Sequence, residues 1–438
     1  MTDSQSKSFP CLTLQKSGAT KEDQVPFKIL VVGDFSGKRN AAPGEPATIS
    51  ATPIPVNLDT LDQVLATIAP SVEIDGVRFD FRSLDDFHPD HLYRQTPRFR
   101  ELQHLKAAAP KPAAAPRPAA PAKPGANLLD NILEEEYARD APVTVEDAND
   151  LQGFLKRATA GHVVAPEDQA ARKRADDAAG EFMRAVLHDA SFQALERTWR
   201  SLDFLLRGAD ASASVSLLDA TLPEFIKSQP ALQEKLQKQA DWSLIVADYG
   251  FGQGETDAVV LERIGSFAKS LGATFLAGAY LPENEGSERW RALRVSSVAP
   301  YIGLVIPRFL LRLPYGRNTS PIDAFAFEEM PVSAHQDYLW GNGAFAAAFL
   351  ISSAYNSEDP QWKRRIERRI DGLPLHIYQE DGESVAKPCA EIWMTERDAE
   401  TLLDNGLMAL ASLKEQDAVL IVRFQSISNP TASLAVFQ

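Results

Sequence analysis

The chain has 438 residues, 44% of them hydrophobic and 24% charged, and a formal net charge of −15. That length suits two or three domains with a sizeable core, while the acidic balance excludes a general nucleic-acid binder, which needs a basic footprint. Cys11 and Cys389 are too far apart for a disulfide framework or a metal knuckle. The opening MTDSQSKSFPCLTLQK has no signal-peptide core, and no run of about 18 apolar residues follows, so a cytoplasmic chain without membrane insertion is expected.

The first element is FKILVVGDFSGKRN, Phe27 to Asn40. Ile29 to Val32 read as a buried strand leaving its sheet through a glycine-flanked turn. A phosphate loop needs four residues between its glycines, then Lys and Ser or Thr. Gly33 and Gly37 enclose only Asp34, Phe35 and Ser36, and Lys38 is followed by Arg39. A nucleotide site is therefore disfavoured, and no cofactor is expected. VNLDTLDQVLATIAPSV reads as a helix capped by Asn57 or Asp59, with Leu61, Val64, Leu65 and Ile68 on one face. Val77, Phe79 and Phe81 alternate with charged residues as a half-buried strand. TPRFRELQHLK closes this unit as a short helix.

AAAPKPAAAPRPAAPAKP, residues 107–124, holds six prolines and cannot be a helix; it reads as a mobile tether. NLLDNILEEEY follows, with Leu128, Leu129, Ile132 and Leu133 on one apolar stripe that needs a partner. A charged, Ala-rich helical arm extends to about Gly180, broken near Gly161 and Pro166. Two helices then flank Asp189. SVSLLDA, WSLIVADYGF and ATFLAGAY read as strands separated by helices, which predicts βαβ crossovers and a parallel sheet. The expected order is thus residues 1–106 as one α/β domain, 107–124 as tether, 125–180 as arm and 181–438 as a second α/β domain.

The candidate chemistry is sparse. His88 and His91 lie among Asp85, Asp86 and Asp90, but the segment reads better as a turn than as a metal site. Gly250, Gly252 and Gly254 lack dinucleotide-loop spacing and read as a loop needing positive φ. No catalytic constellation is present, so the chain is not expected to be an enzyme. Trp290 to Tyr338 mixes Arg291, Arg294, Arg308, Arg312 and Arg317 with aromatic residues. Arginines in apolar surroundings need carboxylates or an interface, and Glu328 and Glu329 are candidate partners for Arg308 and Arg312.

LERTWRSLDFLL, LIVADYGF, WRALRVSSVAPYIGLVIPRFLLRLPYG, FAFEE, DYLWGNGAFAAA, KPCAEIWMTERDAETLLDNGLMAL and FQSISNP together resemble the large contractile-sheath subunit of type VI secretion systems. FKILVVGDFSG, VNLDTLDQVLATIAPSV and FRSLDDFHPDHLY resemble the small subunit. The resemblance implies a fusion of the two, with mixed α/β sheath-type domains. It implies a homo- or hetero-oligomer stacked as a tube around an inner tube, with strands exchanged between neighbours. Other sheath subunits, the inner-tube protein, baseplate proteins and an AAA+ recycling ATPase are its implied partners. That ATPase would grip Leu128, Leu129, Ile132 and Leu133. Large subunits normally continue beyond the position of Asn429-Pro430, so a shortened form is expected. Such a form could propagate a sheath, or serve as a non-polymerising adaptor at its end or at the baseplate.

Overall fold

The computed structural model describes residues 27–38, 52–108 and 166–438, apart from 211, 240, 283–285, 357 and 360. In chain order its elements begin β1 (Phe27–Gly33), β2 (Ile54–Val56), α1 (Leu61–Ile68), β3 (Ser71–Ile74), β4 (Val77–Asp80), α2 (Pro89–Gln95), α3 (Pro97–Ala108) and α4 (Pro166–Leu187). Then come α5 (Ala190–Gly208), β5 (Ala213–Asp219), α6 (Leu222–Lys238), β6 (Trp242–Phe251), α7 (Glu255–Leu271), β7 (Thr274–Ala279), α8 (Glu288–Arg294) and β8 (Ile302–Ile306). The last are β9 (Phe309–Leu310), β10 (Trp340–Gly341), α9 (Gly343–Ala354), β11 (Arg369–Ile370), β12 (His376–Glu380), β13 (Glu383–Lys387), α10 (Glu396–Asp404), β14 (Met408–Ser412) and β15 (Val419–Ile421).

The described residues form two compact units, one drawn from Met1–Phe87, His188–Pro314 and Met330–Gln438, the other from His88–Leu187 and Tyr315–Glu329. The first contains a nine-stranded sheet in the order β11-β15-β14-β8-β7-β6-β1-β5-β2. From β5 to β14 all neighbours are parallel, while β2, β15 and β11 pair antiparallel. The mixed α/β class read from the sequence is what the chain adopts.

Alternation along the strands sends side chains to both faces. Leu30, Val32, Ile245, Ala247, Phe275 and Ile302 share a core with Phe225 and Leu232 of α6, Leu261, Ile264 and Phe267 of α7, and Trp290 of α8. Helix α9 packs on β6, β7 and β8 together with α5. Local signals set these helices. Asp189 caps α5 by accepting from the N–H groups of Ser191 and Phe192 at 2.9 and 3.1 Å. Gly272, at φ 69°, closes α7 in a left-handed cap.

Three boundaries differ from the sequence reading. β1 and β2 belong to the main sheet, so among the described residues the first 106 carry only the two-stranded β3–β4 sheet of their own. Ala107 and Ala108 still belong to α3, because alanine favours helix and the first proline comes only at Pro110. The expected boundary between arm and second domain at Gly180 lies inside α4, where Ala179, Phe182, Met183, Val186 and Leu187 keep one buried stripe. In addition, β3 pairs with β4 as a hairpin across Asp75-Gly76, at φ 49° and 72°.

In the second unit, Phe182 packs on Phe99 with ring centroids 4.9 Å apart, and Phe325 on Tyr93 at 5.0 Å. The buried Asp90 carboxylate accepts from the N–H groups of Asp323 and Ala324, the latter at 2.8 Å.

Candidate functional site

β1 fills a slot in the main sheet that is paired on both sides. Lys28 to Val32 are in register with Ser214 to Leu218 of β5 on one side, and Ile29 to Val32 with Leu244 to Ala247 of β6 on the other. Ile29, Leu30, Val31 and Val32 are fully buried, each contributing about 1.5–3 kcal/mol relative to exposure. At the entry, Phe27 stacks on Tyr355 at 4.7 Å and meets Trp362 edge-on at 5.5 Å.

The turn after β1 is closed by protein groups. The Asp219 carboxylate accepts from the backbone N–H groups of Phe35 and Ser36 at 2.9 and 3.1 Å. Lys38 Nζ sits 2.8 Å from the other Asp219 oxygen. Burial pulls the Lys38 ammonium down, but Asp219, Glu224 and Asp34 outweigh it and leave it above its ordinary value. Trp199 Nε1 donates to Phe35 O at 2.9 Å, and the two rings meet edge-on at 5.0 Å. The donors a phosphate would need are thus engaged by a carboxylate, and the turn serves as a clasp.

The second feature lies at the carboxyl ends of β6, β7 and β8, where open parallel sheets place their crevice. A cleft of about 650 Å³ is lined by Arg197, Asp248, Tyr280, Arg308, Asn342 and Glu391, among others. A second, of about 560 Å³, adjoins it through Leu281, Ile306 and Ile392 and continues to Trp393, Met394 and Leu402. Tyr280, Leu281 and Trp393 are 63, 56 and 52% exposed. Three large exposed apolar side chains thus line the two clefts. The floor of the first requires small residues. A Cβ on Gly250 would lie 2.7 Å from the Tyr280 ring, and one on Gly278 2.8 Å from Asn342 Oδ1. Gly250, Gly252 and Gly254 do not have the positive φ expected of them; close approach, at Gly250 and Gly252, is what the sequence reading missed.

The arginine-rich segment is held by ion pairs. Arg308 grips Glu391 through Nε at 2.8 Å and through Nη2. Burial raises the Glu391 carboxyl, yet Arg308 and His335 outweigh it and hold it below the usual range. Arg312 Nε reaches the fully buried Glu196 at 2.9 Å, and Arg200 Nε reaches the same oxygen at 2.7 Å. Arg294 is buried and donates to Ile427 O and Asp404 O at 2.9 and 2.8 Å. Glu391 and Glu196 are partners the sequence reading did not offer, being 83 and 116 positions from their arginines. Glu328 and Glu329 accept backbone N–H groups, from Arg317 at 3.1 Å and Tyr315 at 2.7 Å. Leu128, Leu129, Ile132 and Leu133 lie outside the described residues.

The polar side chains elsewhere have structural work. His88 Nδ1 accepts from Asp90 N at 3.2 Å to cap α2. Cys389 is buried, and burial pushes its thiol up to about 11. Among the described residues no group of three His, Cys, Asp or Glu is arranged to hold a metal. No helix among them is long and apolar enough to cross a membrane.

The mixed α/β sheet is consistent with sheath-type α/β domains. The family model described as type VI secretion system, VipA, VC_A0107 or Hcp2 matches residues 12–111. The VipB model, EvpB/VC_A0108, tail sheath N-terminal domain, matches residues 279–428. Matches to the small-subunit and large-subunit families of the type VI sheath thus fall in chain order on one polypeptide. Among curated proteins, the type VI secretion system sheath protein TssC1 of Pseudomonas aeruginosa is 30% identical over 294 residues. That match covers 56% of this chain and 58% of the relative, so the chain spans little more than half of the relative's length.

Proposed function

We propose that this chain is a structural, non-enzymatic subunit of a cytoplasmic type VI contractile sheath, a fused protomer that carries its small-subunit strand within its own large-subunit sheet. The single observation that supports this most is β1, hydrogen-bonded on both sides between β5 and β6. In this reading Tyr280, Leu281 and Trp393 are buried by neighbouring subunits, and the protomer assembles around the inner tube, takes part in contraction and is recycled by an AAA+ ATPase that grips Leu128, Leu129, Ile132 and Leu133. Electron microscopy of the purified chain, with the inner-tube protein and sister sheath subunits, tests it. Tubes are expected, and Leu281→Asp with Trp393→Asp should abolish them while leaving the circular dichroism spectrum unchanged. A chain that stays monomeric beside all those proteins would sink the reading.

A second reading, a non-polymerising adaptor at the sheath end or the baseplate, draws on the sheet edges. β2 has three residues and β11 two, and short edge strands discourage edge-to-edge pairing. It predicts discrete complexes with baseplate proteins in place of tubes.

A further inference from the structure

The hairpin of β12 and β13 pairs with no other strand among the described residues. An isolated two-stranded hairpin is marginal in water, so its attachment depends on side chains at its root, where His376 and Lys387 are register partners. Lys387 Nζ lies over the Tyr338 and Trp340 rings at 5.2 and 5.9 Å. It also lies 3.1 Å from His335 Nδ1. The other ring nitrogen, Nε2, is 3.3 Å from Glu391 Oε1, and the Glu391 carboxylate is clamped by Arg308. Trp340 Nε1 donates to His335 O at 3.0 Å and fixes the backbone there.

An ammonium donates and cannot accept. With Lys387 charged, His335 Nδ1 must offer its lone pair, and Nε2–H then donates to Glu391. We propose that His335 is a pH-sensitive latch on the β12–β13 hairpin: neutral, it bridges Lys387 to Glu391; protonated, it keeps Glu391 and releases Lys387. Protonation places an N–H on Nδ1, so two cationic donors face each other at the 3.1 Å contact. Glu391 favours the imidazolium; Lys387 and Arg308 oppose it. His376, on β12, touches Tyr338 through its own Nδ1 at 2.7 Å, and Ser333 Oγ lies 3.0 Å from that hydroxyl. Asp337, on the His335 turn, lies 3.7 Å from His188. Burial already pulls the Lys387 ammonium below its ordinary value, with Glu391 and Glu380 pulling the other way, so the root carries charge at a cost before His335 titrates. Arg308 and Glu391 also line the cleft; any effect of the latch on assembly rests on the sheath reading, whereas the latch itself does not.

Hydrogen exchange of the full chain, corrected for the intrinsic pH dependence, tests the latch at pH 7.5 and 5.5. The wild type should lose several-fold protection over His376 to Lys387 at the lower pH, one proton changing an equilibrium by at most about tenfold per pH unit. Protection of Phe27 to Gly33 should not change. His335→Gln can accept from Lys387 and donate to Glu391 but does not titrate, so its hairpin should be insensitive to this pH step. Lys387→Met removes the opposing charge and should likewise flatten the response. Undiminished pH dependence in both variants, its loss only in His376→Gln, or none in the wild type would overturn the latch. Tube assembly, scored separately by sedimentation, can fail without touching this result.

Discussion

Strand β1 and the β12–β13 hairpin are both short β-structure, and the chain treats them in opposite ways. β1 has a ladder on each side, four fully buried aliphatic residues and a clasp in which Asp219, Lys38 and Trp199 satisfy the turn. The hairpin has only its own ladder, with Ile377 60% exposed, and is tied down by Lys387, His335, Glu391 and Tyr338. Backbone pairing plus apolar burial holds β1 under any ordinary condition. Side-chain bonds among titratable groups hold the hairpin only at particular charge states. The two regions therefore respond to different perturbations: the slot to volume and shape, the hairpin root to protons.

The largest effect is expected at the clasp. Trp199, on α5, is fully buried against the β1 turn, and Trp199→Ala removes both the packing and the donor to Phe35 O. A loss of about 3–5 kcal/mol is expected in urea unfolding, with little change between pH 6 and 8. A loss below 1 kcal/mol would show that the slot is not what holds β1. Glu196→Gln comes next. Arg200 and Arg312 converge on this buried carboxylate, and breaking such a cluster costs about 3 kcal/mol. Gly278→Ala is smaller. Its new Cβ would press on Asn342, which donates to Tyr249 O at 2.9 Å across the sheet end. Overpacking of this kind costs about 1–3 kcal/mol, and the thermal midpoint should fall accordingly.

Much of this contrast was legible in the sequence, and part was not. Continuous apolar runs such as LIVADYGF announce a parallel strand because both of its faces are covered. The same logic found Ile29 to Val32 as a buried strand. It could not say which sheet buries them, since β5 lies more than 180 positions further on and strand pairing leaves no local trace. The β3–β4 hairpin was missed although Asp75-Gly76 is a strong hairpin signal; the turn residues were given no reading and only the second strand was recognised. The glycines of ADYGFGQG were given a dihedral reason when the reason at Gly250 is the Tyr280 ring, which is thirty positions away in the chain. The arginines of the 290–338 segment were read as needing carboxylates or an interface; Arg308 and Arg312 meet carboxylates, whereas Arg294 meets backbone carbonyls. The carboxylate partners Glu196 and Glu391 come from other elements, and only the fold brings them close.

The smallest expected effect tests the hairpin side of the comparison. The Glu391 carboxyl lies below its ordinary range in the folded chain because Arg308 and His335 outweigh burial. A carboxyl depressed on folding binds fewer protons in the native state than in the unfolded one. Its contribution is therefore full above the unfolded value, about 4.3, and is lost as pH falls through the lower folded value. All depressed carboxylates share this sign, so the informative quantity is a difference. In Arg308→Gln the Glu391 carboxyl loses its principal cation, and urea midpoints taken from pH 6 down to pH 3 should fall less steeply than in the wild type. Because Arg308 is 46% exposed, solvent screens the pair, and the gap should be smaller than the losses expected on changing Trp199, Glu196 or Gly278. Parallel curves would mean that Arg308 does not set the charge state at the hairpin root, and His335 would then have to hold Glu391 alone.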